Sequence, residues 1–448
     1  MSTMATWNNK VSVVGERPHC KVVATRALRR GETVLQEVPT LTLLHPKQWG
    51  LRCNRCYGRA PAKCKLLRCS RCRYFHYCSK SCQRNDWSQH KEECTALSSY
   101  QEGGEEPLLA EALLVARVFR LRTAQNEKFR TVMNLVMHPE CIQPVHYQIA
   151  QLVHSMGLLA AKETEATSLA PPSPKEIVEM LLRFDANNFG IVDELLFFLG
   201  AGIYPAGAML NHSCHHNCAI RYDLATQTQY IQCIVDVNEG DELCHPYIDF
   251  ACTAKERRTK LRSTYGFDCH CLRCDENHAI HAGWAKCEKW LTAPAEGIGP
   301  AGILQVIDES EAWLQQAAAS DDILQELDLV QQTVIARSKA CHPRHLRLYQ
   351  ARSQLHTVAM SAGKLAIARD QCVEILKTMS MCFYRPEHPL MGVMLYTLGS
   401  LHHSLGNIGD AIESYERALP ILQSYHGEEH SFTLGCQDYL HQAHQEAG

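Results

Sequence analysis

The residues best suited to chemistry gather within about sixty positions. Asn211-His212-Ser213-Cys214 closes the apolar run 203–210 and opens a polar cluster, His215-His216-Asn217-Cys218. Gly240-Asp241-Glu242-Leu243-Cys244-His245-Pro246-Tyr247 follows, and Cys269-x-Cys271-x2-Cys274 ends the group. An amide, an imidazole, a phenol and several thiols exceed what a buried core usually carries. Thiolates are the usual structural-zinc ligands, so three close cysteines with one donor from the earlier cluster make a tetrahedral set. Cys214 and Cys218 both qualify as that fourth donor. Taken singly, Tyr247, Tyr265 and Phe267 read as core aromatics; within this constellation they read as a site.

A second donor cluster lies upstream: Cys53-x2-Cys56-x12-Cys69-x2-Cys72-x5-Cys78-x3-Cys82-x7-His90-x3-Cys94. Eight thiolate and imidazole donors suit two tetrahedral zinc sites. The two Cys-x2-Cys pairs form tight knuckles, whereas Cys78, Cys82, His90 and Cys94 sit at helical spacing. Cys64 falls between the pairs without a partner. The chain holds 23 cysteines and 24 histidines. Nothing at its start reads as a secretion signal, and clustered Cys and His in a reducing compartment bind metal rather than form disulfides.

The elements that must position these residues can be read in outline. With 448 residues, 46% hydrophobic and 21% charged, the chain can bury two or three cores. No apolar run approaches the ~20 residues of a membrane helix. A net charge of -3 gives no reason to expect nucleic acid as the main ligand. The expectation is a soluble, monomeric protein of the cytoplasm, the nucleus or both. Residues 11–44 alternate β-formers with turn chemistry and predict short strands at 11–14, 21–24 and 33–35. Residues 105–160 carry helical periodicity, 161–174 form a polar, proline-rich loop, and 175–184 predict a further helix.

Beyond residue 276 strand signals vanish and helical periodicity takes over. His342-Pro343, His388-Pro389 and His430-Ser431 recur at intervals of 46 and 42 residues, each followed by a second histidine at His356, His402 or His444. Such a period marks a repeat array. These histidines read as helix caps and packing groups rather than ligands. Leu395, Leu398-Gly399, Gly406, Ala411, Tyr415 and Ala418 resemble the tetratricopeptide spacing, whose small residues let two helices approach closely. Such an array can offer a concave face to a partner.

Several of these features match known patterns. The eight-donor cluster, with Tyr77-Cys78-Ser79, Gln83 and Trp87 before His90, closely resembles the MYND zinc finger. Asn-His-Ser-Cys, Gly-Asp-Glu-Leu-x3-Tyr and Cys-x-Cys-x2-Cys, with that finger inserted after initial strands, resemble the SET- and MYND-domain-containing protein-lysine methyltransferases over nearly the whole chain. The resemblance implies an α+β chain: a SET-type β-rich catalytic fold with an inserted MYND finger, a post-SET zinc knot and an α-helical tetratricopeptide-like C-terminal domain. The implied divisions are 1–52 for the first part of the SET domain and 53–94 for the finger. A helical insertion at 95–185, core SET domain at 186–250, post-SET zinc region at 251–276 and helical domain at 277–448 follow.

The resemblance also assigns residues. It gives Cys53, Cys56, Cys78 and Cys82 to one zinc, and Cys69, Cys72, His90 and Cys94 to a second. Cys214, rather than Cys218, joins Cys269, Cys271 and Cys274 on a third. Tyr247 would be the catalytic tyrosine. S-adenosylmethionine would be held by Asn187, Asn211 and His212, with Tyr265, Phe267 and Ala208 beside it and Arg17 or Lys21 at its carboxylate. Phe189, Tyr247 and Tyr265 would line the channel for a substrate lysine on a histone or another protein. Three departures stand out. The first strand turn, Gly15 to Lys21, lacks the family's second glycine. His216 replaces a usual proline, and Cys244-His245-Pro246 precedes the tyrosine. The rival reading is a non-catalytic adaptor, with the finger gripping a proline-rich peptide and the repeats a second partner.

Overall fold

The computed structural model describes residues 5–16, 20–60, 64–100, 106–122, 126–159, 170–275, 277 and 281–447 of the 448-residue chain. The expected Arg17 contact, and residues 161–169 of the expected polar loop, lie outside the described residues.

The first half is built of short strands in small separate sheets. Thr33–Glu37 pairs antiparallel with Ala5–Trp7 and with Thr228–Cys233, and the latter pairs with Cys218–Asp223. Phe198–Ile203 lies between Leu41–Leu44 and Asn188–Val192. Val11–Val14 and Lys21–Ala24, two of the expected strands, pair antiparallel. Asn211–His212 runs parallel to Cys244–His245. That two-residue pairing brings the two central motifs side by side.

The finger and the helical insertion share one core. Cys53, Phe75 and Tyr77 pack in the same buried cluster as Leu113, Val115, Ile177 and Leu181. The finger's helix, Lys80–Ser99, is capped by the Ser79 hydroxyl, which accepts the Cys82 amide. It runs beyond residue 94, so the expected division there is not a break in packing. Glu93 on that helix is fully buried, and Arg117 donates to both its carboxylate oxygens at 2.6 and 2.9 Å. Arg117 comes from Glu106–Phe119, so this bidentate pair ties finger to insertion. Pro174–Asn187 likewise crosses the expected boundary at residue 185, because its Ser173–Glu176 capping box and apolar stripe carry the helix directly into the strand Asn188–Val192.

Among its described residues the helical region holds the helix His281–Trp290, three hairpins and a last helix: Pro300–Ala318 with Ile323–Ala340, Leu346–Ser361 with Leu365–Thr378, Pro389–Ser404 with Ile408–His426, then Ser431–Ala447. The first hairpin lacks the His-Pro marker, which is why the repeat spacing missed it. The histidines are structural. Nδ1 of His342, His345, His388 and His430 accepts the amide of Arg344, Arg347, Leu390 and Phe432, respectively, and the true cap of Leu346–Ser361 is His345 rather than His342. The array docks on the strands. Gln232 donates to the carbonyls of Ser424 and Tyr425, and the Tyr425 hydroxyl donates to that of Ile220.

Gly399 marks the closest helix approach. A Cβ there would fall 2.6 Å from the ring of fully buried Tyr415. Overpacking of about 1–3 kcal/mol outweighs the few tenths of a kcal/mol in helix propensity that valine gains over glycine. Gly399→Val should therefore lower the thermal unfolding midpoint by several degrees, and an unchanged midpoint would mean that the Tyr415 ring can move aside.

Candidate active site

Each zinc donor set is assembled by local structure plus one fold-level contact. Cys78 and Cys82 flank and open the finger helix, and their sulfurs lie 3.4 Å apart; Cys56 Sγ reaches Cys78 Sγ at 3.6 Å. His90 and Cys94 are one turn apart on the same helix. His90 Nε2 lies 3.4 and 3.5 Å from the sulfurs of Cys69 and Cys72, and Cys69 lies 3.7 Å from Cys94. The third set joins Cys214 to Cys274 at 3.7 Å and to Cys269 at 4.0 Å, with Cys271 beside them. In every set the donor atoms all lie within 4.8 Å of one another. A tetrahedron with metal–sulfur bonds of ~2.3 Å has edges of about 3.8 Å, so all three sets fit zinc. Cys218 is not in the third set: it is fully buried on its own strand, opposite Cys233. Cys64 is exposed and joins none.

The third set leads directly to Tyr247. His212 Nδ1 accepts the Tyr247 amide at 3.0 Å, which leaves its other ring nitrogen protonated. That nitrogen, Nε2, lies 3.3 Å from Cys214 Sγ. Burial lowers the His212 pKa to about 4, so the ring is neutral, as this bonding pattern requires. An imidazole thus spans from a zinc ligand to the backbone of the tyrosine. The Tyr247 hydroxyl donates to the Leu210 carbonyl at 2.7 Å, one residue before the Asn-His-Ser-Cys motif. Burial holds that phenol well above its usual pKa, so it stays protonated.

Pro246 does not disturb this aim. The paired strand ends at His245, so the missing proline N–H removes no ladder bond, and the next amide is the one that His212 takes. Two residues that the sequence reading did not single out complete the frame. Asn217 accepts the Cys244 amide at 2.9 Å and donates to the Glu242 carbonyl at 2.9 Å. Glu37 takes the amides of Ala206 and Gly207 and so fixes the turn Gly207–Met209 that carries Ala208. Its place in the polar cluster after the motif was the available signal for Asn217; Glu37 gave none.

Around Tyr247 the aromatic rings close in. Tyr265 stands 4.8 Å from it between centroids, and its hydroxyl donates to the Tyr247 carbonyl at 3.1 Å. Burial pushes the Tyr265 phenol up to about 12. Phe267 lies 6.4 Å from Tyr247 and 6.1 Å from His212. It is delivered there by Gly266, whose φ of +68° ends the helix Ala254–Tyr265 in the left-handed conformation. Asn187, Phe189, Ala208, Tyr247 and Tyr265 border a cavity of about 250 Å³, which His388, Pro389 and Tyr425 of the helical array also line.

The amide oxygens left over here suit a cofactor that presents donors such as ammonium and hydroxyl groups. Asn211 Nδ2 donates to the Cys20 carbonyl and to Glu242, and Asn187 Nδ2 to the carbonyls of Val136 and Arg183. Both amide oxygens remain as acceptors without a partner among the described residues. Lys21 lies 3.5 Å from Glu242, at the edge of the same corner. Phe267 adds an aromatic face.

A family model described as the MYND finger matches residues 52–94. Relatives extend over almost the whole chain. The histone-lysine N-methyltransferase SMYD3 of Mus musculus is 27% identical over 413 residues, covering 91% of each chain. The histone-lysine N-methyltransferase ASHR1 of Arabidopsis thaliana is 24% identical over 452 residues, covering 94% of this chain and 92% of its own. The N-lysine methyltransferase SMYD2-A of Danio rerio is 24% identical and covers 86% of both. A MYND finger, a cysteine knot joined to a tyrosine through His212 and a helical array are the parts that this similarity spans. Over most of its length the chain is similar to these protein-lysine methyltransferases.

The donor geometry sets a stoichiometry. Elemental analysis should find three zinc ions per chain, and two in Cys271→Ala. Because metal binding is folding energy for the loop it holds, that variant should also lose order around Tyr265 and Phe267. Three ions retained in Cys271→Ala would remove that residue from the set.

Proposed function

We propose that this chain transfers a methyl group from S-adenosylmethionine to a lysine side chain of a histone or another protein, with Tyr247 as the catalytic tyrosine. The observation that carries the reading is that Tyr247 lines the cavity, with its hydroxyl held by the Leu210 carbonyl and its amide by an imidazole that lies against Cys214 Sγ. Bound S-adenosylmethionine supplies the electrophilic methyl. The chain's own residues do the rest. A free lysine has a pKa of ~10.4 and must shed a proton to solvent before it can attack, and loss of the methyl would leave S-adenosylhomocysteine. A channel walled by Phe189, Tyr247 and Tyr265 desolvates the amine, which favours its neutral form, and aligns it for in-line displacement. The Tyr247 hydroxyl and the Leu210 carbonyl offer oxygen atoms to the polarised methyl and the amine, and no acid–base dyad is required.

Asn187, Asn211 and His212, with Ala208, Tyr265 and Phe267, are the cofactor side of this proposal, and Arg17 or Lys21 its carboxylate partner. We read the chain as SET segments at 1–52 and 186–250 around the finger at 53–94 and the insertion at 95–185, followed by a post-SET zinc region at 251–276 and a helical domain at 277–448. A monomer in the cytoplasm, the nucleus or both fits this reading. The adaptor alternative keeps one specific support: Trp87 is 46% exposed on the finger helix, an aromatic face of the kind that docks proline-rich peptides.

Tyr247→Phe should lower the turnover number for methyl transfer by about 100-fold or more, the usual effect of removing one aligned oxygen, while calorimetry shows S-adenosylmethionine still bound. Undiminished turnover in this variant would take Tyr247 out of the chemistry. Absence of any cofactor binding by zinc-loaded wild type would favour the adaptor.

A further inference from the structure

The cavity beside Tyr247 has a second set of polar groups that the methyl-transfer reading does not use. His216 is 4% exposed, and neither of its ring nitrogens has a partner among the described residues. His245 is also 4% exposed; its Nδ1 donates to the Pro246 carbonyl at 3.1 Å, so Nε2 is a bare acceptor, and it too lacks a partner. His388, from the helical array, accepts an amide at Nδ1, which makes its Nε2 a donor. All three line the cavity. The rings are fixed in place: His245 stacks on Phe189 at 5.3 Å and lies 5.1 Å from the Tyr247 ring, and His216 packs on Phe250 at 4.8 Å and His388 at 5.4 Å. His216 stands where the family pattern has proline, and His245 falls in the unusual segment before Tyr247.

Buried hydrogen-bonding groups without partners are costly and rare, and here they meet at one cavity wall. We propose that this wall is a substrate-selection subsite, in which His216 and His245 hydrogen-bond a neutral side chain carrying both donor and acceptor, an amide or a hydroxyl, on a residue flanking the target lysine. The chemistry of the wall excludes the charged alternatives. A carboxylate would face the His245 lone pair. An ammonium or guanidinium would find no counter-ion, because no Asp or Glu is among the residues lining the cavity. An aliphatic side chain would leave the imidazole nitrogens unpaired, and a site built for hydrogen bonds rejects such analogues strongly. The target lysine itself is taken by Tyr247 and Tyr265, so the subsite reads its neighbour. His216 and His245 act here as specificity-determining groups.

The inference rests on the methyltransferase reading, and its test separates the two. Peptides with one lysine and Gln, Ser, Leu, Glu or Arg scanned through the flanking positions are assayed on the full-length, zinc-loaded protein. Methyl transfer is measured as kcat/KM, and peptide affinity by calorimetry with S-adenosylhomocysteine present. At one flanking position Gln or Ser should exceed Leu, Glu and Arg by about tenfold or more in both measurements. That ratio should fall to near one in His216→Leu and His245→Leu and persist in His245→Gln, which keeps an acceptor. Zinc content and thermal unfolding check that the variants fold, and if the leucine variants do not, the wild-type ratio decides. A wild-type ratio near one, or an unchanged ratio in both folded leucine variants, overturns the subsite. Preferential binding without methyl transfer leaves the subsite standing and sinks the catalytic reading. Methyl transfer without preference does the reverse, and the lack of both sinks both.

Discussion

A neutral imidazole wedged between a zinc ligand and a tyrosine amide is the contact on which the rest of the site depends. His212 takes the Tyr247 amide at Nδ1 and turns Nε2 toward Cys214, so ring orientation, tautomer and tyrosine position are fixed together. Partners of a metal ligand commonly set such orientations, and here the ligand, the imidazole and the tyrosine form one line. The same four-cysteine set gathers the segment carrying Tyr265 and Phe267. Zinc binding contributes about 10–16 kcal/mol of apparent folding energy in small finger domains, enough to hold a loop that has little core of its own. The aromatic walls around Tyr247 therefore depend on metal as much as on hydrophobic packing.

The finger and the helical array each bear on the site through their own contacts. Through Glu93 and Arg117 the finger is joined to the insertion, and Arg52, just before its first cysteine, donates to Asp193 at 2.6 Å. Asp193 in turn accepts the amides of Leu195 and Phe197 and shapes the turn that carries Leu196, a cavity residue, at a φ of +65°. A buried pair of this kind adds little net stability but is costly to break, because one charge would be left unpaired. The array supplies His388, Pro389 and Tyr425 to the cavity lining, and its docking through Gln232 and Tyr425 makes the cavity a property of both halves of the chain.

Much of this was legible in the sequence where the information is local. The Cys-x2-Cys knuckles, the helical spacing of Cys78, Cys82, His90 and Cys94, the strands at residues 11–14 and 21–24 and the helical period after residue 276 all follow from geometry encoded over a few neighbouring residues. Gly399 was readable as a close-packing position because its spacing to Ala411 and Tyr415 is a two-helix pattern. The strands Ala5–Trp7 and Phe198–Ile203 were missed, since short, non-alternating segments carry no strong period. The first helical hairpin was missed because it shares no marker residue with the others.

By itself the sequence determined the inventory: the zinc donors and their number, the tyrosine, the amides, and the order of finger, strands and helices. Only the tertiary structure decided which of these meet. Cys214 and Cys218 are equal candidates by spacing, and they separate because one ends a loop facing the cysteine knot while the other enters a strand facing the core. Pro246 reads as a threat to the tyrosine's aim until the paired strand is seen to end one residue earlier. His216, His245 and His388 come from segments far apart in the chain and share one cavity only after the array docks. Local spacing specifies local geometry; contacts between distant segments are set by the packing of whole elements, and the chemistry of this site lies mostly in such contacts.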